Sequence, residues 1–222
     1  MTKILALDLS TAACSVAIAV NDEIYEQHQI VAQQHAQLIL PIIQSLLAEA
    51  DLALAQLDAI AFGCGPGSFT GLRLAAGVTQ GLAFGADLPV IPISSLQVLA
   101  QTAYRELHVT QVISALDARM QEVYWGAYQF DDNLMIAVIP DSLCQPANVS
   151  MPEIGNWVGV GDAWLTYELL GSKSNNIGPE VYPHARDLLT LATAAWAANK
   201  VVAPEQALPV YLRAKTTWSK HE

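Results

Sequence analysis

The 222-residue chain is 53% hydrophobic and only 14% charged, with a formal net charge of −11. Average globular chains carry about 25% charged residues, so this chain has apolar surface to hide, either in an oligomer or complex or within an alanine-rich core. Residues 4–104 contain one cation, Arg73, which excludes tight direct RNA binding through that half, because nucleic-acid affinity needs clustered Lys and Arg.

In chain order, the pattern predicts a strand over 4–9 that reaches Asp8, a polar turn over 10–13 and a strand over 15–20. Asn21-Asp22 reads as a turn and 24–29 as a third strand, which completes an antiparallel meander. Leu38, Ile39, Ile42, Ile43, Leu46 and Leu47 recur at helical spacing and predict a helix over 35–50. Pro41 lies inside it and should kink it or mark a late start. A buried strand is expected over 59–64, a loop over 65–70, a helix of small residues over 71–86 and a strand over 90–93. Ser94 or Ser95 caps the next helix, which runs to about residue 105.

The pattern then restarts. A strand over 112–116 ends at Asp117, and strands over 123–130 and 134–139 flank the turn Asp131-Asp132-Asn133. ILALD at the start and ISALD here occupy the same place in two meanders, which suggests two copies of a βββαβα unit. The second copy is looser: a strand over 157–160, a short helix over 163–170, a longer helix over 185–200 and an extended tail over 209–213. The expected domains are 1–108 and 109–222, with the tail 201–222 free to return to the first.

Cys14, Cys64 and Cys144 are scattered, with no CxxC or Cys/His cluster, so neither a disulfide framework nor a zinc site is indicated. The apolar run 38–57 is interrupted by Gln44, Ser45, Glu49, Asp51 and Gln56, and Asp8 comes too early for a secretory leader. A cytoplasmic protein without a membrane span is expected.

Two βββαβα units facing a cleft are the α/β plan of the actin-like ATPase (ASKHA, ribonuclease H-like) superfamily. In that plan the first turn of each unit approaches a nucleotide. Asp8 and Asp117 end the two equivalent strands, and Ser10 and Thr11 follow the first; these four residues mark a degenerate nucleotide cleft. Each Asp either positions magnesium near a phosphate or caps its own turn.

The most specific string is GPGSFTGLR: Gly65, Pro66, Gly67, Ser68, Phe69, Thr70, Gly71, Leu72 and Arg73. Glycine allows close backbone approach, and the hydroxyls beside a coming helix N-terminus suit an anion. It is not a Walker A loop, because GK[ST] is absent. With ALDLSTAACSVAI, LDARMQEVYWG and the closing PVYLR, the string resembles the TsaB (YeaZ) family over nearly the whole chain.

The resemblance implies a cytoplasmic subunit of the tRNA threonylcarbamoyladenosine machinery. In that machinery TsaC makes threonylcarbamoyl-adenylate, and TsaD transfers the group to the adenosine 3′ of the anticodon. TsaB binds TsaD, acts with TsaE and does no transfer. The implied partners are a TsaD-like paralogue and a TsaE-like ATPase. Contact with tRNA is indirect, and a homodimer forms when the chain is alone. No cofactor of its own is expected, with ATP or ADP only at the partner interface.

The residues agree with a subunit that has neither a catalytic nor a metal site. His35 begins the helix on which TsaD-like relatives carry two metal-binding His, but Ile39 stands one turn later. The turn Asp117-Ala118-Arg119-Met120 lacks a phosphate-loop glycine. GVGDAW, from Gly159 to Trp164, is either a nucleotide loop or an ordinary strand-to-helix turn capped by Asp162. No Ser-His-Asp order is recognisable. The competing reading is a self-sufficient ATP-dependent small-molecule kinase of the same fold.

The expected partner surface comprises Leu38 and Ile42 on the first helix and Arg73, Leu74, Ala76, Gly77 and Val78 on the second. The resemblance implies pairing through these helices. Glycine costs roughly 1 kcal/mol each inside a helix, so several of them call for close packing, either on a partner or on the chain's own sheet.

Overall fold

The computed structural model describes residues 2–20, 23–31, 33–174 and 176–213. The turn expected at Asn21-Asp22 lies outside the described residues. The first sheet contains β1 (Ile4–Asp8), β2 (Ala13–Val20), β3 (Glu23–Ile30), β4 (Ala59–Gly65) and β5 (Val90–Ser94), in the order β3-β2-β1-β4-β5. The meander is antiparallel, whereas β4 joins β1 in parallel and β5 joins β4 in parallel. Every residue of β1 and β4 is buried, as expected for central strands covered on both faces.

Helices α1 (His35–Glu49) and α2 (Phe69–Ala86) cover one face of this sheet, over a core that includes Leu5, Leu7, Val16, Ile39, Ile43, Leu46 and Phe62. Pro41 does not interrupt α1. It lies on the exposed side, where water can serve the backbone group it leaves unpaired. Ser68 caps α2, accepting from the Gly71 amide at 3.4 Å, so the helix begins two residues before the expected Gly71. Ser94 caps α3 (Ser95–Leu107), accepting from the Gln97 amide at 3.3 Å.

The second sheet contains β6 (Gln111–Asp117), β7 (Val123–Asp131), β8 (Leu134–Cys144) and β9 (Val158–Val160), in the order β8-β7-β6-β9. It repeats the meander and the parallel fourth strand, which confirms the actin-like plan. It lacks a helix between its third and fourth strands: Pro146, Pro152 and Gly155 punctuate that segment, which forms a single 3-10 turn at Pro146–Asn148. The expected helix over 163–170 is broken at Tyr167 into α4 (Ala163–Thr166) and α5 (Glu168–Gly171).

The expectation grouped helix 185–200 with the second half. Helix α6 (Ala185–Ala197) instead lies on the first sheet, against Ile4, Ala6, Ala17, Ala59, Ala61 and Ile91. The reason is physical: α1 and α2 occupy the other face, so this alanine-rich face needs a cover from later in the chain. Side chains of the sheet receive the helix's free amides. Ala185 N donates to Ser15 Oγ at 2.8 Å and Arg186 N to Glu26 Oε1 at 3.2 Å.

The tail pairs with the edge strand β5, where Val202 and Val90 exchange backbone hydrogen bonds of 2.8 and 2.9 Å. It then passes to the α2 side of the sheet, where Ala207 is buried in that core and Gln80 Nε2 donates to its carbonyl oxygen at 3.1 Å.

A two-point ion pair ties α6 to α3. Arg105 donates from Nε to Asp187 Oδ1 at 2.8 Å and from a terminal nitrogen to Oδ2 at 2.9 Å. The Asp187 side chain is 4% exposed and that of Arg105 34%. Removing one member of a buried pair strands the other, although the open side of Arg105 moderates the loss. Asp187→Ala is expected to lower unfolding free energy by about 2 kcal/mol, read as a lower urea midpoint with unchanged slope.

Candidate functional site

The outer face of α2 has the properties of a binding surface. Leu72, Ala75, Ala76, Thr79 and Ala83 turn inward, together with Gly71. On the opposite side, Gly77, Gly81 and Gly85 recur every four residues and so form one stripe. Among the described residues, a Cβ added at any of the three would meet nothing within 4 Å. Internal packing therefore does not offset their helix cost, about 3 kcal/mol for the three relative to Ala.

Apolar side chains border the stripe. Leu40, Arg73, Leu74, Val78 and Leu82 line a shallow groove of 380 Å³ over Gly77 and Gly81. A second groove of 530 Å³ continues past the same two glycines to Phe84, Pro204 and Glu205. Phe84 is 78% exposed and Leu40 47% exposed. Among the 15 residues of α1 and the 18 of α2, Glu49 and Arg73 are the only Lys, Arg, Asp or Glu. An apolar centre depleted of charge is the composition of an interface core.

The structure sorts the expected partner residues. Arg73, Leu74, Gly77 and Val78 line the groove, and Leu38 is half-buried beside the core. Ile42 and Ala76 are corrected: at 4% and 5% exposure they pack into the chain's own core and cannot meet a partner. The grooves also take in Leu40, Leu82 and Phe84, which the sequence reading did not single out, and Gly81 and Gly85, which it counted only among the small residues of the helix. The four-residue spacing of three glycines was the available signal.

Arg73 serves the chain's own structure as well. Its guanidinium carbon lies 3.7 Å from the centre of the Phe69 ring, and Nε donates to the Tyr211 hydroxyl at 3.1 Å.

The signature loop lies on the turn after β1. A Cβ at Gly67 would come within 2.5 Å of the Ser10 carbonyl oxygen, and one at Gly71 within 1.9 Å of that of Leu9. Ser68 N donates to Ser10 O at 2.7 Å. Two carbonyl oxygens therefore stand where an anion would need donors. These glycines serve backbone contact, while Ser68 caps α2 and Thr70 is exposed.

Asp8 is 1% exposed. Its Oδ1 accepts from the Ser10 amide at 2.9 Å and the Ser10 hydroxyl at 2.6 Å. A Cβ at Gly63 would stand 1.9 Å from Oδ2. Burial pushes the Asp8 carboxyl above its ordinary range, against the opposing pull of the Ser10 and Ser95 hydroxyls. Thr11 stays local, its hydroxyl accepting from the Ala13 amide at 3.2 Å. His35 Nε2 lies 3.2 Å from the Ala13 carbonyl oxygen.

Asp117 is also engaged. Its carboxylate accepts from the Arg119 amide at 2.8 Å, the Arg119 guanidinium at 2.9 Å and the Tyr167 hydroxyl at 2.7 Å. Arg119, Met120 and Gln121 hold φ of 62°, 55° and 59°, so the β6–β7 turn is left-handed without any glycine. Asp162 does not cap α4 with its side chain; it accepts from the Asp117 amide at 2.9 Å. In GVGDAW, Gly161 abuts the Ala115 carbonyl and Gly159 abuts the Trp164 ring, so the segment is an ordinary packed turn.

A carboxylate that the sequence did not reveal closes the space between the sheets. Asp141 of β8 accepts from the Ser94 hydroxyl at 2.5 Å and from the Tyr128 hydroxyl. The closing PVYLR segment bridges the same region. Val210 N donates to Cys64 O at 2.8 Å, and the Arg213 guanidinium meets Glu122 at 2.5 Å and Ala118 O at 3.0 Å.

Comparison with known proteins matches residues 20–172 to the family model described as TsaD: tRNA N6-adenosine threonylcarbamoyltransferase. The chain is 40% identical to the tRNA threonylcarbamoyladenosine biosynthesis protein TsaB of Escherichia coli strain K12, covering 98% of this chain and 97% of that one. It is 39% identical to the protein of the same name from Haemophilus influenzae, covering 98% and 96%. The solved structure of YeaZ from Pseudomonas aeruginosa superposes with a TM-score of 0.92 at 46% identity, covering 96% of this chain and all (100%) of that one.

Proposed function

The chain belongs to the TsaB family of tRNA threonylcarbamoyladenosine biosynthesis proteins, and from that premise we propose that it is a non-catalytic partner subunit. It docks the outer face of α1 and α2 onto a TsaD-like paralogue and works beside a TsaE-like ATPase in the cytoplasm. One observation carries the reading: among the described residues, a Cβ added anywhere on the glycine stripe Gly77, Gly81 and Gly85 would meet nothing within 4 Å. Small residues in register admit a second helix backbone at close range, and the surrounding Leu40, Leu74, Val78 and Leu82 supply apolar area. Two copies of this chain pair through the same face when the paralogue is absent.

The cleft supports the accessory role. Asp8 is buried, its Oδ1 bound by Ser10 and its Oδ2 unpartnered among the described residues but closed off from solvent, and Asp117 is held by Arg119 and Tyr167, so neither presents an accessible carboxylate to a magnesium-bound nucleotide. A nucleotide in the assembly would therefore rely on the partner's groups. tRNA contact is indirect, given the single cation over residues 4–104. Among the described residues, no helix is long and apolar enough to cross a membrane.

The test mixes the purified chain with a TsaD-like paralogue on a sizing column and, in parallel, measures phosphate release from saturating ATP by the chain alone. A stoichiometric complex and background phosphate release are expected. Separate elution, with turnover that survives further purification, would favour the kinase reading.

A further inference from the structure

Away from the cleft and the α1–α2 face, three side chains converge at the edge of the first sheet. Glu26 and His28 stand two apart on β3 and so share one face of the strand. His184 precedes α6 and reaches the same point. Donor atoms of these three residues lie within 4.8 Å of one another, and no other such trio of His, Cys, Asp or Glu occurs among the described residues.

We propose that Glu26, His28 and His184 bind a divalent transition-metal ion, zinc being the class that the ligands favour. Two imidazoles and one carboxylate are a recurrent zinc donor set that leaves a fourth position open. His184 Nδ1 already sits 3.1 Å from Glu26 Oε1, close to the separation of two ligands on one tetrahedral zinc with bonds of about 2.0–2.1 Å. The metal takes the place of the proton between them, and that proton passes to solvent. The other nitrogen of His184, Nε2, lies 3.5 Å from Glu106, the arrangement in which an outer carboxylate orients a metal-bound imidazole. His28 Nδ1 is buried without a hydrogen-bond partner among the described residues, so a lone pair or N–H there lacks a counterpart that a ligand would supply.

Three features oppose binding. The His28 and His184 rings stack at 3.5 Å with 7° between their planes, so one ring must turn before both can face a single ion. Arg186 stands 3.8 Å from the second Glu26 oxygen, and α6 presents its N-terminus. A helix terminus alters the energy of a nearby charge by about 0.3–1 kcal/mol. The Arg186 side chain is 43% exposed and can swing outward, and the carboxylates of Glu26 and Glu106 balance the added charge.

Cobalt(II) titrated into tag-free protein is the probe, because its spectrum distinguishes nitrogen and oxygen ligands from thiolate. One equivalent is expected to bind, with d–d absorption and no thiolate charge-transfer band. His28→Ala, His184→Ala and the volume-conserving Glu26→Gln are each expected to weaken binding at least tenfold with unchanged circular dichroism. Zinc added to the wild-type chain should compete for the same equivalent and raise the melting temperature. Absence of saturable binding, a thiolate band reporting Cys144, or unchanged binding by folded His28→Ala and His184→Ala variants would overturn the proposal.

Discussion

Gly77→Leu and Gly81→Leu are each expected to abolish binding to the TsaD-like paralogue without disturbing the chain itself. Among the described residues a Cβ at either position meets nothing within 4 Å, so a leucine extends into the open groove bordered by Leu40, Leu74, Val78 and Leu82 rather than into the core. Leucine also favours helix over glycine by several tenths of a kcal/mol, so the melting temperature should hold or rise. In the complex, the same side chain stands where the partner helix must approach. A loss of at least about 30-fold in affinity is expected, the scale of a disrupted interface centre.

Ala76→Leu is not equivalent. Ala76 is 5% exposed and packs in the core, so overpacking there costs about 1–3 kcal/mol, and any lost binding would report lost structure. If both folded glycine variants bound as tightly as the wild type, the docking face would lie elsewhere.

The second large effect separates two kinds of glycine within one helix. Gly71→Ala is expected to destabilise the chain by about 3 kcal/mol or more. Its Cβ would press to 1.9 Å from the Leu9 carbonyl oxygen, a backbone atom at the end of the central strand β1. Relief requires parting the signature loop from the turn after β1, where Ser68 N and Ser10 O are joined at 2.7 Å. Gly81→Ala, ten residues on, meets nothing and should gain up to about 1 kcal/mol. Urea unfolding of both variants reads the contrast. A neutral Gly71→Ala would contradict the close packing of loop on turn.

The first half of the chain was readable in the sequence because its signals were local. Alternation marked β2, helical spacing marked α1, and Ser94 was visible as a cap, whereas Ser68, read as a hydroxyl suited to an anion, caps α2 instead. The repeat of ILALD and ISALD disclosed the second sheet, since strand order follows from the repeated meander. What stayed hidden depended on contacts across long sequence separations. Nothing local in α6 indicates that it crosses back to cover the face bearing Ala6, Ala17 and Ala61.

The candidate site divides in the same way. The glycine-rich α2 was recognisable as a close-approach helix, but its inward and outward faces were not distinguished. Ala76 and Gly77 are neighbours in sequence, and one is core while the other is open surface. Ile42 belongs to the apolar stripe that holds α1 on its sheet, whereas Leu40 lies off that stripe and is available to a partner. Asp8 and Asp117 were correctly placed at equivalent strand ends. Their closure by Ser10 on one side and by Arg119 and Tyr167 on the other depended on the folded arrangement.

Hydrogen exchange tests the central claim most directly. The chain is labelled at a dilution where it is monomeric, with and without the TsaD-like paralogue in excess. Slowed exchange concentrated in α1 (His35–Glu49) and α2 (Phe69–Ala86) is the predicted result. Protection confined to the second sheet, β6 to β9, with α1 and α2 exchanging as in the free chain, would contradict it.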